Sequence, residues 1–88
     1  MYRILNAKWL NENIFLMDIE AKRVADRCEP GQFIIVRVDK DGERIPLTIC
    51  DYDREKGSVT IVAQVVGEET YRLSKLQAGD YVQDFVGP

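Results

Sequence analysis

Between Arg44 and Thr48 the chain reads Arg-Ile-Pro-Leu-Thr, and strand alternation sorts these side chains into two sets. Ile45, Leu47 and then Ile49 share one face, an ordinary core stripe. Arg44, Pro46 and Thr48 share the other, an unusual company for a solvated strand face. Proline brings no N–H to a sheet ladder, so Pro46 belongs at an edge or at a locally unpaired position. A cation and a hydroxyl beside such a gap would suit a flat, anionic ligand. The plainer alternative is an edge strand guarded by proline, with two solvated polar residues.

A second candidate follows in Val66-Gly67-Glu68-Glu69-Thr70. Glycine lets backbone approach a ligand closely, and the free N–H groups at a helix start attract anions. Thr70 would add a hydroxyl for a phosphate oxygen. The alternative is purely structural, with Gly67 ending a strand and Thr70 capping a helix. Glu68 and Glu69 oppose a bare anion site unless their carboxylates point away.

Other chemistries are limited by composition. The chain has 88 residues, 12 basic and 15 acidic, for a formal net charge of −3, and no histidine. The commonest metal ligand and the usual general base near neutral pH are therefore missing. Cys28 and Cys50 are too far apart for a Cys-x-x-Cys site and read as reduced thiols of a cytoplasmic protein, with no metal. An acidic chain without a basic block is a poor ligand for nucleic acid, which disfavours an RNA-binding small barrel. No apolar run approaches the ~20 residues of a membrane span.

The elements that must position these residues are short and mostly extended. Tyr2–Leu10 and Ile14–Glu20 read as a hairpin across Asn11-Glu12-Asn13, with Phe15, Met17 and Ile19 facing inward. Ala21–Cys28 has helical propensity but length for one turn at most. After the Glu29-Pro30-Gly31 turn, Gln32–Asp39 forms a strand whose run Phe33-Ile34-Ile35-Val36 is apolar on both faces. Both faces must then be covered, one of them by a ligand or another domain if not by this chain. Asp41-Gly42 turns the chain into the Arg44 strand. Asp51–Gly57 reads as a charged loop and Ser58–Val66 as the fifth strand, with Val59, Ile61 and Ala63 opposite Ile45, Leu47 and Ile49. Thr70–Leu76 is helical, and Tyr81–Val86 is the last strand. The expected fold is one all-β domain over residues 1–88, a six-stranded antiparallel Greek-key barrel with one short helix between strands five and six.

The ordered set Pro30-Gly31-Gln32-Phe33, Arg44-Ile45-Pro46-Leu47-Thr48-Ile49, Val65-Val66-Gly67-x-x-Thr70, Ala78-Gly79-Asp80 and Val86-Gly87-Pro88 resembles the flavin-binding domain of the ferredoxin–NADP reductase family. The likeness spans essentially the whole chain. It is nearest to the small electron-transfer subunits of sulfide dehydrogenase, of NADH-dependent ferredoxin–NADP oxidoreductase and of dihydroorotate dehydrogenase. It implies a six-stranded barrel with FAD against its outside. Arg44 would then meet the FAD phosphates, and Thr48 would lie near the ring edge. Pro46 and Leu47 fall in the same cofactor-binding stretch. Gln64, Val65 and Val66 would lend backbone groups to the ribityl and pyrophosphate region, completed by Gly67 and Thr70.

Two departures accompany the likeness. Plant-type members have Arg-x-Tyr-Ser, with the hydroxyl three positions after the arginine, whereas Thr48 lies four after Arg44, and Leu47 replaces the stacking tyrosine. The family also continues into a nucleotide-binding domain, and this branch into a cysteine cluster for an iron–sulfur centre. This chain has neither a Rossmann-type glycine fingerprint nor more than two cysteines. The function implied is a flavin module that, in a full-length parent, moves electrons between NAD(P)H and an iron–sulfur partner. The alternative is an isolated or engineered barrel scaffold that folds without cofactor.

Overall fold

The computed structural model describes residues 1–87, so the Pro88 end of the last motif lies outside the described residues. Seven strands and two small helices follow in the order β1 (Tyr2–Trp9), β2 (Ile14–Glu20), α1 (Lys22–Arg27), β3 (Phe33–Arg37), β4 (Ile45–Asp53), β5 (Ser58–Gln64), α2 (Glu68–Ser74), β6 (Tyr81–Val82) and β7 (Asp84–Val86). All pairings are antiparallel, in the order β6-β1-β2-β5-β4-β3-β7. The two outermost strands are consecutive in the chain, so the sheet curls into a nearly closed barrel.

The expected sixth strand is thus two. Tyr81–Val82 pairs with β1, while Asp84–Val86 pairs with β3. Between them the Gln83 N–H donates to the carbonyls of Arg37 at 2.9 Å and Val38 at 3.1 Å. Val82 and Phe85 both point into the core although they lie three apart, which breaks strict alternation and turns a corner.

Two further expectations need correction. The loop expected from Asp51 is shorter, because Asp51–Asp53 continue β4 opposite Thr60, Val59 and Ser58. A register shift between Ile49 and Asp51 accommodates Cys50 as an extra residue and lets Tyr52 pack on the core. Only Arg54–Gly57 remain as the turn, closed by Gly57 at φ 70°. The single turn expected after β2 is the six-residue α1, a second helix. Its Val24 and Ala25 are buried, and Arg54 donates to the carbonyls of Ala25 at 3.2 Å and Cys28 at 3.1 Å. Tertiary packing and a borrowed guanidinium cap sustain a helix too short to form alone.

The barrel interior is filled from every strand: Ile4, Phe15, Met17, Ile19, Ile34, Val36, Ile49, Val59, Ile61, Val82 and Phe85, with Leu73 of α2 at one end. Among the described residues no helix is long and apolar enough to cross a membrane.

Candidate functional site

Strands β4 and β5 part company halfway along. Their ladder runs from Asp53↔Ser58 to Ile49↔Ile61 and then stops. Beyond that point Ile45–Thr48 pair with β3 alone, through Val36, Ile35, Ile34 and Phe33. The facing stretch Val62–Gln64 pairs with β2 alone. Proline at position 46 contributes to the parting, since it cannot donate across the gap. The wedge that opens has Pro46 and Thr48 exposed on one bank, with Gln64 and Val66 exposed on the other. Ile45 and Leu47 turn inward as expected from alternation, but they are only half-buried and face β3 residues, with Ile49 alone of the three paired to β5.

At its wide end the wedge runs into a groove of about 260 Å³ lined by Glu43, Ile45, Val66, Gly67, Glu68, Glu69 and Thr70. Val66 is 76% exposed, as bare as Met1 at the chain start. The Val65 N–H is held by the Asn13 carbonyl at 2.8 Å and is not free for a ligand. Gly67 is extended at φ −165°, and a Cβ there would meet nothing within 4 Å. The fold itself therefore makes no demand for glycine at this position.

Thr70 is placed differently from a phosphate ligand. Its buried hydroxyl accepts from the N–H groups of Val66 at 3.0 Å and Gly67 at 3.1 Å, and donates to the Gly67 carbonyl at 3.1 Å. Thr70 shapes the corner between β5 and α2 and spends its hydrogen-bonding capacity doing so.

The charges around the groove are unevenly compensated. Glu69 is turned back onto its own helix, both carboxylate oxygens 3.3 Å from Arg72 Nη1. The Arg72 Nη2 bonds Asp39 in the loop that follows β3. Burial would lower the Arg72 pKa, but Asp39 and Glu69 outweigh it and hold the guanidinium above its ordinary value. Arg44 does not line the groove. Its guanidinium leans the other way, 3.4 Å from Asp84, and is largely exposed. The same Asp84 oxygen is bound more closely by Arg37 Nε at 2.7 Å. Two arginines thus share one carboxylate, that of Asp84 on β7.

That outer face holds what sequence patterning left undecided. Ile34 and Val36 fill the interior, whereas Phe33 is 59% exposed and Val86 55%. Together with Gly31, Gln32, Ile35 and Gly87 they bound an open hollow of about 420 Å³. Register places Phe33 beside Thr48 and Ile35 between Pro46 and Val86. The candidate residues on β4 therefore border an uncovered apolar surface on one side and the wedge on the other. Alternation of Phe33-Ile34-Ile35-Val36 carries that signal in the sequence.

No protein-family model matches the chain. A solved structure concerned with flavin-based electron bifurcation, that of an NADH-dependent reduced ferredoxin–NADP oxidoreductase, superposes on the whole chain with a TM-score of 0.96 at 38% identity, over 32% of its own length. A homologue of the electron transfer subunit of dihydroorotate dehydrogenase B from Thermotoga maritima is 42% identical over 77 residues, 88% of this chain and 27% of the relative. The chain belongs to the ferredoxin–NADP reductase-like family. An uncharacterized protein from Clostridium beijerinckii is 61% identical over all 88 residues, which make up 30% of it. This ferredoxin–NADP reductase-like barrel thus spans about a third of the length of the curated relatives it matches.

Proposed function

We infer that the barrel binds FAD along the parting of β4 and β5, as the flavin module of an oxidoreductase that moves electrons between NAD(P)H and an iron–sulfur partner. The observation that carries this reading is the wedge itself: two strands of one sheet stop pairing at Ile49–Ile61, with Pro46, Thr48, Gln64 and Val66 bare along its banks. Thr48 lies nearest the flavin ring edge, beside the apolar surface of Phe33 and Ile35. Pro46, Leu47, Gln64 and Val65 border the ribityl chain, Leu47 and Val65 from the core side, where their side chains pack. Gly67 lets the pyrophosphate come close, and Thr70 holds the Val66–Gly67 corner in shape. Arg44 swings from its long contact with Asp84 to the phosphates, since Arg37 keeps Asp84 compensated. Charge-assisted bonds of this kind are worth ~1.5–3 kcal/mol.

Flavin, once bound, supplies the redox chemistry, while the chain orients it and compensates its charge. The nucleotide-binding domain and the iron–sulfur subunit belong to a longer or multisubunit parent, in a cytoplasmic setting that keeps both thiols reduced. Titration of the 88-residue chain with FAD, followed by flavin fluorescence, tests the reading. Arg44→Ala should weaken FAD about ten- to a hundred-fold. FMN, with one phosphate and no adenosine, should bind less tightly than FAD. Equal FAD affinity in both chains would remove Arg44 from the site.

One observation favours a second reading, a scaffold that holds no flavin by itself. Glu43 and Glu68 line the groove alongside Glu69, and neither has a basic partner among the described residues to match Arg72. Absence of any FAD binding at high concentration would support that reading.

A further inference from the structure

We propose that Arg72, which lies outside the flavin site, is the positioning residue that makes its groove tolerant of phosphate, by holding the Glu69 carboxylate off the ligand and pinning the β3–β4 loop beside it. This rests on the flavin reading above. Three carboxylates line the groove, and among the described residues only that of Glu69 is paired with a basic group, its side chain 13% exposed. The same guanidinium reaches Asp39, so a single planar fork on α2 ties the loop after β3 to Glu69 in the helix's first turn.

The loop packs tightly against this pair. A Cβ on Gly42 would lie 2.8 Å from Glu69 Oε1 and 3.1 Å from Arg72 Nη1, so the absence of a side chain at 42 allows the loop to close over them. Glu43, Arg44 and Ile45 follow directly, which makes the latch the fixed point from which Arg44 extends. Without Arg72, Glu69 would regain its free charge within a groove already bordered by Glu43 and Glu68. A diphosphate entering there would meet three uncompensated carboxylates instead of two.

Affinities of FAD and of riboflavin, which has no phosphate, should be measured for the parent chain, Arg72→Ala, Arg72→Ala/Glu69→Gln and Arg44→Ala. Arg72→Ala is expected to weaken FAD on the order of ten-fold, less at high salt, and to leave riboflavin unchanged. Adding Glu69→Gln should restore most of the FAD affinity, an outcome that a purely architectural role for Arg72 does not give. Equal losses for FAD and riboflavin, no loss for either, or no rescue by Glu69→Gln would overturn the assignment. If Arg44→Ala weakens FAD while Arg72→Ala does not, the latch fails and the flavin site stands. If the parent chain binds neither ligand, the flavin reading fails and takes the latch with it.

Discussion

At the scale of single residues, Gly67 and Cys28 make opposite claims on the fold. Gly67 occupies extended backbone open to any residue, with room for a Cβ. Gly67→Ala should therefore change stability by no more than about 0.5 kcal/mol in urea unfolding, yet reduce FAD affinity if the pyrophosphate passes over this atom. A large loss of stability would show that glycine serves the fold after all. Cys28 is fully buried, and desolvation raises its thiol pKa against the opposing pull of Arg54. A raised folded-state pKa means that the neutral thiol is favoured by folding. Its contribution is complete below the unfolded thiol pKa of ~8.5 and is lost as pH rises through the folded value. Stability of the native chain should fall across that alkaline window, and Cys28→Ala should flatten the decline. Thiol labelling at neutral pH should modify the exposed Cys50 at once and Cys28 only on unfolding.

Among the elements, β4 is where sequence reading and structure separate most usefully. Its parity was legible, because Ile45, Leu47 and Ile49 do alternate with exposed Pro46 and Thr48. Its pairing was not. Alternation fixes the face of each residue but not the neighbour strand; Pro46 marks a locally unpaired position, but the extra residue at Cys50 leaves no composition mark. The consequence is measurable. Ile49→Ala, at 1% exposure with strands on both sides, should cost about 2–5 kcal/mol. Leu47→Ala, half-buried at the lip of the wedge, should cost only about 1–2 kcal/mol, because the lip can relax into the space left. Equal costs, read from urea denaturation, would mean that the wedge is closed in solution. The site residues followed the same division. Alternation made the outward placement of Pro46 and Thr48 legible, whereas the inward turn of Thr70 and the bond from Arg72 to Asp39 depend on contacts that the pattern does not carry.

At the scale of the molecule, a seven-strand barrel is held shut by five residues in two short strands. Tyr81–Val82 supplies the partner of β1 and Asp84–Val86 the partner of β3, joined at the Gln83 corner. Sequence pattern could not foresee that one apolar stretch would serve both sheet ends, since Val82 and Phe85 read as a single strand with imperfect alternation. Deleting residues 83–88 should leave β3 with an open edge and the core without Phe85. The expected result is loss of the cooperative unfolding transition, followed by circular dichroism, and a strong tendency to aggregate through that edge. A truncated chain that unfolds with the parent's midpoint would refute the closure. The same joint imposes a timetable on biosynthesis. A nascent chain leaves the ribosome from its N-terminus at about 5–20 residues per second. The β1–β2 hairpin can form early, but the edges of β1 and β3 must both wait for the segment around Gln83 to clear the exit tunnel. For several seconds the emerging polypeptide carries a half-built wall with two unsatisfied ends, the interval in which a chaperone would have most to protect.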